Sequence, residues 1–135
     1  MPDTIFDRIV RGEAPAHRVW EDAGFLAFLD TRPSQPGHTL LIPKRAGGDV
    51  FDLPPDVYAG LWDRARRLAG PLREALGAVR VGAVVEGFGV DHAHVHLIPL
   101  HREGDLRPQA EEPAPDAELA AVAAKIRAAV EAAGV

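Results

Sequence analysis

Two hydrophobic periods alternate along the chain, one near 3.6 residues and one near two. Ile5, Phe6, Ile9 and Val10 recur at helical spacing, which predicts a short amphipathic helix within residues 1–13 that ends near Gly12. Two extended segments follow, residues 17–21 and 25–30, joined by Asp22-Ala23-Gly24, and a Gly-containing connection between β-formers predicts a hairpin. Turn formers fill Arg32-Pro33-Ser34-Gln35-Pro36-Gly37, after which residues 38–42 read as a third strand stopped by Pro43. Beyond Pro54-Pro55-Asp56, the positions Val57, Leu61, Ala65, Leu68, Leu72 and Leu76 form a helical stripe, with a kink or break expected at Gly70-Pro71. Residues 79–85 are rich in β-formers, Glu86-Gly87-Phe88-Gly89 turns the chain, and residues 93–100 alternate apolar with histidine as a further strand. A charged, Pro-rich loop spans 102–115, and from Asp116 onward Leu119, Val122, Ile126 and Val130 share one helical face. The order predicts an α+β fold in one domain over 1–135: a five-stranded antiparallel sheet, a long mid-chain helix and a C-terminal helix. It is not the alternation of a parallel βαβ sheet.

Composition narrows the chemistry. With no cysteine among 135 residues there is no disulfide, thiolate nucleophile, Cys-ligated zinc finger or Fe–S cluster. A net charge of −5 argues against binding a nucleic acid polymer, although a local pocket can still oppose it for a small anion. No apolar run approaches the ~20 residues of a membrane helix. Met1-Pro2-Asp3-Thr4-Ile5-Phe6 lacks the basic and apolar regions of a signal peptide, so the expected compartment is the cytoplasm, with no membrane partner.

The informative segment is Asp91-His92-Ala93-His94-Val95-His96-Leu97-Ile98-Pro99. Side chains on a strand alternate faces, so His92, His94 and His96 share one face at ~6.6 Å intervals, while Ala93, Val95 and Leu97 share the other. A buried core would not select three imidazoles, because each needs partners for two nitrogens. A solvated strand face would be served as well by Thr, Lys or Glu. Two functional readings remain close on chemistry alone. The histidines can be metal ligands. Alternatively, one imidazole attacks phosphorus while its neighbours manage charge and protons, a role suited to a group whose ordinary pKa of ~6.5 lies near neutrality.

His92-Ala93-His94-Val95-His96-Leu97-Ile98 fits the motif His-φ-His-φ-His-φ-φ (φ apolar) at every position, and the chain resembles the histidine triad family. The resemblance extends to residues 5–16 as the family's amino-terminal helix and turn, to Trp20-Glu21-Asp22 and residues 25–30 as its first hairpin, and to residues 33–44 as the segment with a fourth active-site histidine. It implies a nucleotide hydrolase or nucleotidyl transferase acting at an α-phosphate, with no cofactor and commonly as a homodimer whose sheets join across the interface. On that resemblance, His94 is the nucleophile, forming a nucleotidyl-imidazole. His92 and His96 bind phosphate and assist the leaving group, and His38 completes the cluster. Asp30 is expected on the ribose hydroxyls, and Ile5, Phe6, Ile9 and Phe28 in an apolar slot for the base, where plain core packing is the competing role. Backbone N–H groups at Gly87, Phe88 and Gly89 are expected near the phosphate, with a structural turn as the alternative. Purine nucleoside 5′-phosphoramidates or similar adenylyl conjugates are the expected substrates.

The chain departs from the family in two places. Many members carry a Cys-x-x-Cys near the start and a later histidine that, with another histidine, hold a structural zinc. Thr4, Asp7 and Ala46 stand at those positions, so no such zinc is expected. The run Glu86-Gly87-Phe88-Gly89-Val90-Asp91 also lacks the Gln, Ser, Thr or Asn that precede the triad in well-studied members. A metal-dependent hydrolase with His92, His94 and His96 as ligands, and a non-catalytic nucleotide-binding protein, are therefore carried as alternatives. His17 and His101 are expected on the surface, and Arg64, Arg66 and Arg67 on the wet face of the mid-chain helix.

Overall fold

The computed structural model describes residues 3–45 and 47–135. The strands β1 (Arg18–Glu21), β2 (Phe25–Leu29), β3 (Thr39–Pro43), β4 (Arg80–Val84) and β5 (Val95–Leu100) form one sheet in the order β1-β2-β3-β5-β4, with every neighbouring pair antiparallel. Helix α1 (Ile5–Val10) covers one face, and α2 (Pro55–Leu76) and α3 (Asp116–Ala133) cover the other. The α+β architecture read from the sequence is the one observed. Among the described residues no helix is long and apolar enough to cross a membrane.

Coverage of both faces explains why Phe25-Leu26-Ala27-Phe28-Leu29 reads as an unbroken apolar run rather than an alternating one: all five residues are buried. Leu26, Phe28, Leu40 and Ile42 pack with Phe6 and Ile9 of α1. Ala27, Leu29, Leu41, Val95 and Leu97 point the opposite way, into a core completed by Leu61, Leu68 and Leu72 of α2 and Ile126 of α3. The β1–β2 turn is set by Asp22, whose carboxylate accepts the backbone N–H groups of Gly24 (2.9 Å) and Phe25 (2.8 Å).

Two boundaries differ from expectation. Of the kink or break expected at Gly70-Pro71, no break occurs: α2 continues through it. A proline in a helix forfeits a hydrogen bond and costs about 3 kcal/mol. Pro71 itself is buried, however, in the same apolar stripe as Leu61, Ala65, Leu68 and Leu72, and that packing holds the helix together. Strand β5 begins at Val95 rather than at residue 93. Its neighbour β3 ends in Pro43, which has no N–H to give, and the Pro43 carbonyl is taken by the His92 ring instead. The chain before Val95 is thus tied by side chains. Arg66 and Arg67 are exposed as expected, but Arg64 is half-buried, with its guanidinium 4.6 Å from the Phe25 ring centroid and 3.2 Å from Asp22.

Candidate active site

Three segments deliver the histidines. Thr4 caps α1: its hydroxyl accepts the Asp7 N–H at 3.2 Å, and the Asp7 carboxylate accepts the Thr4 N–H at 2.9 Å. The capped helix holds Phe6 edge-on to His92 and His94, at ring-centroid distances of 5.8 and 5.2 Å. The turn at residues 33–37 carries His38 into the sheet. Gly37 there has φ +88°, and a Cβ on it would lie 2.8 Å from Leu76, so the position requires glycine.

Hydrogen bonds assign the imidazole protons. Nδ1 of His94 lies 2.6 Å from the His92 carbonyl, which only accepts, so Nδ1 carries a proton and Nε2 is the atom that bears the lone pair in the neutral ring. In His38, Nδ1 accepts the Ser34 N–H at 3.0 Å, which leaves Nε2 protonated to donate to Nδ1 of His96 at 2.9 Å. The proton of neutral His96 is consequently on Nε2. Burial pushes the His38 imidazole down to about 4, against the pull of the Asp30 charge. Burial, followed by the neighbouring His94, also lowers His96, so both rings are neutral near pH 7. Asp30 is buried, its Oδ1 accepting the Arg32 N–H at 2.9 Å and its Oδ2 lying 3.7 Å from Nε2 of His38.

His94, His96 and Asp30 border a cavity of about 380 Å³, together with Ile5, Phe6, Ile9, Phe28, Gly87 and Gly89. That volume falls in the ~300–1,000 Å³ range of small-molecule sites. Three expected residues stand apart. His38 is 1 % exposed and does not line the cavity; it reaches the site through His96, 2.9 Å away. His92 is 1 % exposed and does not line the cavity: its Nε2 donates to the Pro43 carbonyl at 2.7 Å and its Nδ1 faces Asp7 at 3.5 Å. Its backbone carbonyl is the group that meets Nδ1 of His94. Phe88, expected to contribute its backbone N–H, follows Gly87 (φ +86°); its side chain is 92 % exposed and the residue is outside the lining. His101 is exposed as expected. His17 is half-buried and pairs with Asp116 at 2.8 Å. Sequence reasoning missed Gln109, which lines the cavity and donates its amide to Asp30, and Ser34, which fixes the His38 tautomer. Neither carries a motif; both act through loops.

The geometry also bears on metals. Among the described residues, the group that approaches a ligand set is Asp30, His38 and His96, whose ligand atoms lie within 4.8 Å of one another, rather than the three triad histidines. A metal on Nε2 of His38 would move the ring proton to Nδ1, facing the Ser34 N–H, whereas metal-bound histidines donate their second N–H to an acceptor. The donor set therefore suits a proton chain better than an ion. Thr4 and Asp7 do not fit the structural zinc of the resemblance, since they offer no thiolate and satisfy each other as a helix cap. Ala46, the third position in that comparison, lies outside the described residues.

The HIT domain family model matches residues 11–103. An uncharacterized HIT-like protein of Mycobacterium tuberculosis is 41 % identical over 106 residues, covering 75 % of this chain and 73 % of its own. An adenosine 5′-monophosphoramidase of Saccharomyces cerevisiae is 33 % identical over 100 residues, covering 73 % of this chain and 63 % of its own. A crystal structure of a zinc-bound histidine triad family protein from Mycobacterium smegmatis superimposes with a TM-score of 0.80 at 36 % identity, over 95 % of this chain and 93 % of that one. With the triad, its fourth histidine and the capped helix all in one fold, and with the family model spanning more than half its length, the chain belongs to the histidine triad (HIT) family.

Proposed function

We propose that the protein is a nucleotide hydrolase or nucleotidyl transferase that attacks the α-phosphate of a purine nucleoside 5′-phosphoramidate or related nucleotide conjugate through a covalent nucleotidyl-His94. The observation that carries this is the 2.6 Å bond from Nδ1 of His94 to the His92 carbonyl, which makes Nε2 the nucleophilic atom of the neutral ring, on a side chain lining the cavity. A relative at 33 % identity is an adenosine 5′-monophosphoramidase, which supports the substrate class.

In the first step Nε2 of His94 forms a bond to phosphorus and the bond from phosphorus to the leaving amine breaks. The anionic phosphate offsets the burial that strips the His38–His96 pair of charge, so the pair takes up one proton with the substrate. Nε2 of His96 passes that proton to the departing amine. Water then attacks the nucleotidyl-imidazole, the phosphorus–His94 bond breaks, and the water proton returns to His96. Asp30 holds the ribose, and Phe6, Ile9 and Phe28 flank the base. No polar side chain at Gly87 or Gly89 reaches the phosphate, so their backbone N–H groups supply the contacts. A homodimer joined along β4 is part of the same proposal. Its support is that, among the described residues, β4 pairs with β5 alone and, like β1, lies at an edge of the sheet.

Steady-state hydrolysis of adenosine 5′-phosphoramidate tests this. Wild type turns the substrate over, and His94→Ala loses about three orders of magnitude or more in kcat while still binding AMP. Nucleotide binding by a wild type without turnover points instead to a non-catalytic binding protein.

A further inference from the structure

Gln109 sits in the long loop between β5 and α3, between two anchors. On one side the Asp105 carboxylate accepts the His101 and Arg102 N–H groups (2.8 and 3.1 Å) while its carbonyl accepts the Gln35 amide (3.0 Å). On the other, the Ala114 N–H donates to the Thr31 carbonyl at 2.8 Å. Held this way, the loop brings an otherwise exposed glutamine to the cavity wall, with its Nε2 on Oδ2 of Asp30.

The chemistry of that contact fixes the amide. A carboxylate only accepts, so the nitrogen must face Asp30 and Oε1 becomes the free end of the group. Each Asp30 oxygen has one hydrogen bond, from the Arg32 N–H or from Gln109, and the His38 proton goes to His96. Lone pairs remain on both carboxylate oxygens, with Oε1 of Gln109 as a third acceptor, in a wall that also includes Thr31 and Arg32. A vicinal diol brings two O–H donors and matches these acceptors.

We propose that Gln109 is a specificity-determining residue: with Asp30 it forms a paired acceptor for the ribose 2′- and 3′-hydroxyls and selects ribonucleotides over nucleotides that lack them. The inference rests on the nucleotide reading of the cavity. The glutamine also pins the Asp30 carboxylate through a neutral donor, adding no charge beside the substrate phosphate. A loop clasp with no part in recognition would affect every nucleotide alike.

Calorimetric titration with AMP and with 2′,3′-dideoxy-AMP tests the proposal, since both lack a leaving group and are not consumed. Wild type prefers AMP. In Gln109→Ala that preference falls by about 2- to 10-fold, the worth of one hydrogen bond, while the affinity for the dideoxy nucleotide stays the same. An unchanged preference, or an equal loss for both ligands, overturns the role of Gln109 alone. A wild type that binds neither overturns the nucleotide reading itself, and this inference with it.

Discussion

Acidification from pH 7 to pH 5 should expose the cost of burying a neutral histidine pair. His38 has a pKa near 4 in the folded protein against an ordinary 6.5, because burial disfavours its charged form. Its unfolded counterpart therefore binds a proton first. The stabilisation is fully present above pH 6.5 and is lost as pH falls toward 4. At pH 5 the unfolded chain is almost fully protonated at this position and the folded one only about a tenth, which by linkage removes about 2 kcal/mol between pH 7 and 5. His96, lowered for the same reason, acts in the same direction. Asp7, Glu21 and Asp22 have folded-state pKa values below 3.8–4.5, so their contributions fade mainly at lower pH and leave this window largely clear. The measurement is urea unfolding at a series of pH values for wild type and for His38→Gln, whose amide retains an acceptor for Ser34 and a donor for His96. Wild type is expected to lose about 2 kcal/mol more than the variant. Parallel profiles for the two proteins would refute the buried neutral pair and the proton chain built on it.

Other expectations concern the amino-terminal helix. Thr4→Ala removes a cap bond and should cost about 1 kcal/mol, read as a lowered thermal midpoint by circular dichroism. Exhaustive dialysis against a chelator should change neither the melting temperature nor turnover, because Thr4 and Asp7 hold α1 through a capping box without thiolates. A chelator-induced loss that zinc restores would contradict this.

The periodic parts of the molecule were legible in the sequence because periodicity reports which faces are buried. Leu61, Leu68 and Leu72 announced α2, and the alternation of histidine with Ala93, Val95 and Leu97 put the triad on the face opposite the two long helices. Pro71 did not break α2 because a local rule about a missing N–H competes with tertiary burial, and burial kept the helix continuous. His92 and Phe88 were legible as positions but not as contacts. Alternation fixes a face, not which nitrogen meets a carbonyl from a strand 49 positions earlier in the chain. Gln109 was invisible for a similar reason: its partner Asp30 lies 79 positions away and its loop has no period.

The central claim is that His94 becomes covalently attached to the nucleotide. Mixing the protein with adenosine 5′-phosphoramidate, quenching within a turnover and mapping the adduct by peptide mass spectrometry tests it directly. The account predicts one adenylyl group on His94, absent from His94→Ala. An adduct on another residue, or turnover that survives in His94→Ala, would contradict it.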